Sequence, residues 1–174
     1  MEITRRGAVP RYFSAVYASP DPLKRRELWD ELRSFEASHE KLWLVAGDFN
    51  DTRFPSERNK SCRETNRRSA LFNEWINDME LLEVEFSGSV HTWARGLTLE
   101  TRQSGSLDRA LCNDRWATRF EGASMKHLPA IHSDHCPIFI SPNGFTLLQS
   151  LHRPFRFQAA WLSHEKFRDF VATS

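Results

Sequence analysis

The sequence predicts an α/β (α+β) domain, with layers packed around at least one mixed sheet. Three observations carry this. Short apolar or alternating runs recur between helix-patterned stretches, turn signals join several neighbouring runs directly, and no run is long enough to be a bundle helix or a membrane span. Arg11 to Ala18 (RYFSAVYA) reads as a strand that stops at Ser19-Pro20. Asp21-Pro22 opens a helix, with proline at an early position where its missing N–H costs little. Leu28, Leu32 and Phe35 give that helix one apolar face, with Trp29 beside it. Lys41 to Ala46 (KLWLVA), ended by Gly47, is the continuous apolar run of a buried strand. Phe49 to Arg68 is polar and aperiodic and reads as a long loop. Leu71, Phe72, Trp75, Ile76 and Met79 form a helical stripe. Leu82, Val84 and Phe86 alternate as a strand, and Ser87-Gly88-Ser89 should turn it into a second, Val90 to Ala94. Ser106 to Cys112 reads as a strand, and Asn113-Asp114 as the cap of a short helix through Trp116. Met125 to Pro129 and Cys136 to Ile140 read as two further strands, and Pro142-Asn143-Gly144 as a closing turn. The remainder looks like a tail, with a strand-like Arg153 to Phe157 and a short helix after Ser163.

Composition narrows the function classes. The chain has 174 residues, 40% hydrophobic, enough for one domain with a real core. Lys and Arg total 24 against 23 Asp and Glu, so bulk charge draws it neither to nucleic acid nor to an anionic membrane, and any such contact must come from local patches. No stretch approaches the roughly 20 apolar residues of a membrane span, and Met1 to Arg11 lacks the apolar segment of a secretory signal. Cys62, Cys112 and Cys136 are dispersed and odd in number, which reads as reduced thiols of a nuclear or cytoplasmic protein. No obligate protein partner is evident.

Four short segments carry groups suited to chemistry. Asp48 and Asn50 follow the buried strand two residues apart, so both side chains fall on one face. A carboxylate can take a proton from water while the amide fixes its direction. Taken alone, capping or an Asx-turn is the commoner use of such a pair. Asp134-His135 sits where a strand begins; the carboxylate suits a hard cation, and the imidazole can meet a phosphate oxygen. Asp108, within a strand, needs a partner: either a salt bridge with Arg109 or another arginine, or a histidine ring that it holds in one tautomer. Thr92 could donate to a phosphate or simply suit a strand. Trp93 is either core or a wall for a sugar or base.

Each signal is weak, but their order is specific. The series Tyr17, GDFN at 47–50, HTW at 91–93, SLDRAL at 106–111 and SDHCPI at 133–138 resembles the endonuclease/exonuclease/phosphatase family. VYASP with Arg26 and Trp29 downstream, Glu57-Arg58, and the tail RPFRFQAAWLSHEKF look most similar to the endonuclease domains of plant non-LTR (LINE-type) retrotransposons. The resemblance implies a partial four-layered α/β sandwich of the DNase I-like type with its N-terminal strands missing. Residues 1–9 would be irregular, 10–142 the domain, and 143–174 a tail of the kind that leads toward a reverse transcriptase. It implies a Mg-dependent phosphodiesterase acting on DNA, with Mn as a substitute. Asp48 would activate the water or protonate the leaving group, Asn50 would orient it, and His135 would bind the scissile phosphate, held by Asp108. Asp134 would serve the metal. Tyr17, Thr92 and Ser133 would contact phosphate, with Trp93 against the substrate.

The family's domain opens with two strands carrying an Asn and a metal-binding Glu, which nothing upstream of Tyr17 supplies. The resemblance therefore implies N-terminal truncation, apolar surface left uncovered on one face of a sheet, and little nicking except weakly at high Mn. A catalytically inactive retroelement remnant is the alternative, and a phosphatase on the same scaffold a weaker one.

Overall fold

The structure is a computed structural model and describes residues 1–4, 10–37 and 41–145. Its elements run β1 (Glu2–Ile3), β2 (Arg11–Tyr17), α1 (Pro22–Ala37), β3 (Leu42–Asp48), a 3-10 turn (Pro55–Glu57), α2 (Arg63–Asp78), β4 (Leu82–Glu83), β5 (Phe86–Gly88), β6 (Trp93–Arg95), β7 (Gln103–Gly105), β8 (Asp108–Cys112), α3 (Asp114–Arg119), β9 (Ser124–His127) and β10 (Ile138–Ser141). A mixed five-stranded sheet has the order β1-β2-β3-β8-β4, a second sheet the order β10-β9-β5, and β6-β7 form a ribbon. The expected mixed α/β class is borne out.

β3 is the centre of the molecule, and its sequence shows why. Trp43 and Val45 point into one apolar cluster with Val16, Trp29, Leu32, Phe72, Trp75 and Ile76; Leu44 and Ala46 point into a second with Val84, Ala110, Trp116 and Met125. A strand buried on both faces has no polar alternation to show, hence the unbroken run in KLWLVA. α1 and α2 cover the first face, where the rings of Trp29, Phe72 and Trp75 stack at centroid distances of 5.7–5.9 Å. The second cluster takes Ile138 and Ile140 of the smaller sheet as partly buried members.

β2 and β3 are parallel, with Tyr17 opposite Asp48, and β8 lies antiparallel on the other side of β3, with Asp108 opposite Asp48. That register brings three sequence-distant positions to one sheet edge. Gly47 sits between them at φ +142, and a Cβ there would lie 2.0 Å from the Val16 carbonyl oxygen, so only glycine lets β2 approach so closely.

Several sequence expectations need correction. The predicted loop ends early: α2 starts at Arg63, capped by Cys62 and Thr65, and polar residues fill its first turns because that end faces solvent. Phe49, at the start of that loop, is fully buried. The hairpin expected at Ser87-Gly88-Ser89 does not form. Phe86–Gly88 instead pair in parallel with β9, while Trp93–Arg95 pair with β7, since each finds its partner elsewhere in the chain. Leu82 and Phe86 thus belong to different sheets. The irregular N-terminus begins with a short strand, Glu2 opposite Tyr12 and Ile3 opposite Arg11. The closing turn is present, with Gly144 N–H donating to the Ser141 carbonyl at 3.2 Å. The strand expected at Arg153 to Phe157 and the helix after Ser163 lie outside the described residues.

Candidate active site

The carboxyl ends of β2 and β3 and the start of β8 meet at one edge, and the site is built there. Asp48 is the last residue of β3, 7% exposed. The chain then turns through Asn50 at φ 52, a left-handed conformation that Asn tolerates better than most residues. The turn brings Asn50 back on itself: its backbone N–H donates to Asp48 Oδ1 at 2.8 Å, and its Nδ2 donates to Asp48 Oδ2 at 3.1 Å and to the Ala18 carbonyl at 2.9 Å. The Asx-type turn is therefore real, and it also fixes both carboxylate oxygens beside an amide.

His135 reaches the same edge. Its Nδ1 lies 3.0 Å from Asp108 Oδ2 and 3.3 Å from Oδ1, and its Nε2 lies 3.9 Å from Asp48 Oδ2. An ionised carboxylate only accepts, so Nδ1 carries the hydrogen toward Asp108 and Nε2 is the nitrogen left facing Asp48. Asp108 does not pair with its neighbour Arg109. Side chains alternate along β8, and Arg109 points the other way, onto Glu57 and Glu83.

The segment carrying His135 is clipped in place by the HTW segment. Trp93 bridges to His135, Ala94 N–H donates to the Asp134 carbonyl at 2.9 Å, and Cys136 N–H to the Thr92 carbonyl at 2.6 Å. Thr92 was expected at a phosphate, but it is fully buried, and its hydroxyl accepts the backbone N–H groups of Leu107 and Asp108 at 2.9 Å each. It ties the start of β8 to the His135 segment, and so sets the Asp108–His135 contact. Trp93 donates from Nε1 to Asp134 Oδ2 at 3.2 Å and lines a polar groove of about 480 Å³ together with His91, Arg102, Ser133 and Asp134. Ser133 accepts from the His135 N–H at 3.1 Å. Tyr17 is 83% exposed at the edge.

Electrostatics distinguish Asp48. Burial raises its carboxyl above the usual carboxylate range; the Asn50 N–H and the charge of His135 pull it down, and the negative charges of Asp108 and Asp134 push it up. One ligand atom each from Asp48, Asp108 and His135 lie within 4.8 Å of one another. Asp134, the expected metal residue, is not in that trio; its carboxylate is exposed and rests on the Trp93 indole. Two carboxylates beside one imidazole leave surplus negative charge, and oxygen donors of this kind fit a hard divalent cation.

A second layer beside the site was not legible in the sequence. Arg68 donates to the Asn50 carbonyl at 2.8 Å and pairs with Asp51 at 3.3 Å, and Arg25, 1% exposed, pairs with the other Asp51 oxygen at 3.1 Å. Arginines at positions 25 and 68 share no local pattern, so only the fold could bring them together.

A mixed two-sheet α/β fold with buried carboxylates, an amide and a carboxylate-held histidine at one sheet edge defines a phosphoesterase-like class of domain. Residues 2–135 match the Endonuclease/Exonuclease/phosphatase family, and the chain belongs to it. No curated protein matches the sequence. Among solved structures, the endonuclease domain of TRAS1, a telomere-specific non-LTR retrotransposon, superposes with a TM-score of 0.58 at 15% identity, over 80% of this chain and 60% of that one. Beta toxin from Staphylococcus aureus superposes with a TM-score of 0.50 at 13% identity, over 80% of this chain and 55% of that one. At these identities the likeness is one of fold, and the chain spans little more than half the length of either structure.

Proposed function

We propose that this domain takes part in metal-assisted hydrolysis of phosphodiesters in DNA. The observation that carries the reading is the meeting of two hydrogen-bonded pairs, Asp48 with Asn50 and Asp108 with His135, at one sheet edge, where His135 Nε2 lies 3.9 Å from Asp48 Oδ2. Residues that merely cap their own loops have no reason to converge.

In this reading Asp48 takes a proton from the attacking water, and the Asn50 amide holds that water's direction. Burial raises the proton affinity of the Asp48 carboxylate, which makes it a stronger base than an exposed aspartate. His135 presents Nε2 to an oxygen of the scissile phosphate, and Asp108 supports its positive form as charge develops. Tyr17 and Ser133 stand at the rim as phosphate donors, and Trp93 forms the groove wall for a sugar or base. Asp134 would hold Mg²⁺, or Mn²⁺ in its place, leaving the Asp48 carboxylate free to take the proton. When bound, the cation supplies neutralisation of charge on the phosphate. DNA is favoured as substrate by the retroelement-like motifs and by the name of the TRAS1 domain.

Nicking of supercoiled plasmid tests this, run with Mg²⁺ and with high Mn²⁺. Nicking should be slight with Mg²⁺ and detectable, though weak, at high Mn²⁺. His135→Ala and Asp108→Asn should each slow it by roughly 10²–10⁴-fold, the usual worth of one positioned acid–base group. Nicking that persists unchanged in both variants, or that is absent from the unaltered chain under both metals, overturns the reading.

A further inference from the structure

Next to the site lies a cluster of arginines that the proposed chemistry does not use. Asp51, 2% exposed, is matched by the buried Arg25, whose Nη1 also donates to the Ser19 and Pro20 carbonyls at 2.8 and 2.7 Å. One carboxylate is thus already balanced by one guanidinium, and Arg25 is structural. Arg68 adds a second positive charge on the same carboxylate. Arg58 adds a third. It is half-buried, its Nε is enclosed without a hydrogen-bond partner, and no carboxylate among the described residues lies within ion-pair distance of it. Its stem runs over Gly105, where an added Cβ would come within 3.2 Å of Arg58 Cγ, so the glycine leaves room for it. Arg67, exposed on α2, lines the same cavity as Arg25, Asp51 and Arg68 and likewise has no ion-pair partner among the described residues. Glu64 on that cavity is the one further carboxylate, so a surplus of positive charge remains.

A partly buried guanidinium crowded by another cation is costly unless an anion arrives to pair it. Burial, first, and the nearby Arg68 lower the proton affinity of Arg58, and the charges of Asp51 and Cys62 offset this only in part. The location supplies the rest: Arg68 holds the carbonyl of Asn50, whose side chain holds Asp48. The cluster is therefore continuous with the reacting edge, in a chain whose overall charge is only +1.

We propose that Arg58, Arg67 and Arg68 form an auxiliary phosphate subsite that grips the backbone of a nucleic-acid strand beside the scissile position. This rests on the phosphodiesterase reading and deepens it: a second phosphate site is of use to a polymer and of none to an isolated phosphomonoester. Arginine is suited to this, since its planar fork meets two phosphate oxygens at once.

The test is the salt dependence of binding to a short DNA duplex, read by fluorescence anisotropy without metal so that no cleavage occurs. The slope of log K against log salt should become shallower by roughly 0.9 for each lost phosphate contact. We expect this for Arg67→Gln, whose exposed side chain leaves the fold intact, and a change about twice as large for Arg58→Gln/Arg67→Gln. Arg119→Gln, at the opposite sheet edge, should leave the slope unchanged. Because binding is read without metal, a chain that shows these slopes but does not nick separates failure of the hydrolytic reading from failure of this inference. An unchanged slope in Arg67→Gln and the double variant overturns the subsite. So does an equal change in Arg119→Gln, or displacement of the duplex by inositol hexakisphosphate at equal phosphate concentration.

Discussion

At Asp48, folding and chemistry pull in opposite directions. Burial raises the folded-state proton affinity of this carboxyl above its usual value of 3.8. The folded chain therefore binds the proton more tightly than the unfolded chain does. Below the unfolded value both states are protonated and nothing is lost. As pH rises from there through the raised folded value, the unfolded state gives up its proton first and the fold is progressively penalised. Asp48→Asn removes the charge and keeps an acceptor for the Asn50 N–H. It should melt higher than the unaltered chain at pH 7, the gap should close as pH falls below about 4, and nicking should vanish. A lower melting temperature at pH 7 would show that the buried charge is compensated. Thr92 makes a related point: a hydroxyl expected at a phosphate instead accepts two backbone N–H groups, and so serves the site by holding Asp108 in register.

Among the elements, α2 does the most to hold the site edge. Its buried residues Ser69, Phe72, Trp75 and Ile76 lie at helical spacing. Ser69 meets Thr52 at 2.7 Å, and Arg68, one residue before it, meets Asn50 and Asp51. One helix thus anchors both the apolar layer and the loop that follows Asp48. Phe72 is fully buried among Trp29, Phe49 and Trp75. Phe72→Ala should cost about 3–5 kcal/mol, the usual range for deleting a buried aromatic ring, as read by urea denaturation. A loss under about 1 kcal/mol would mean the aromatic stack repacks freely. Buried β3 needs this layer too, since its polar backbone is satisfied only by β2 and β8 while both its side-chain faces are dry.

Over the whole molecule, the two sheets do not close fully on each other. An apolar cavity of about 430 Å³ runs between Phe13, Ala15, Leu44, Ala46, Ile138 and Ile140. Phe139, on the outer edge of the smaller sheet, is 53% exposed. Exposed apolar surface of this kind promotes association. The native chain should bind a hydrophobic dye and sediment with a concentration-dependent mass, and Ile138→Asp should reduce both. A chain that leaves the dye dark and sediments as a monomer at all concentrations would show that the cavity is too small or too closed to matter. Among the described residues no helix is long and apolar enough to cross a membrane.

What could be read from the sequence was local or ordinal. The doubly buried strand KLWLVA, the helical stripe of α2 and the Asn113 cap each follow from short-range patterning, because the periodicity of buried positions is set by the element itself. The order of GDFN, SLDRAL and SDHCPI pointed to the family because a fixed topology requires its motifs in a fixed order. The strand partners could not be read. Phe86–Gly88 and Trp93–Arg95 look like the two arms of a hairpin, yet each pairs with a distant segment, since pairing energy depends on the exposed edge available rather than on nearness in sequence. For the same reason only the tertiary structure turned Asp108 toward His135 and Arg109 away from it, buried Thr92, rested Asp134 on Trp93, and gathered Arg25, Arg58 and Arg68 around Asp51. These placements depend on which faces meet across the sheet edge, and a linear pattern carries no information about that.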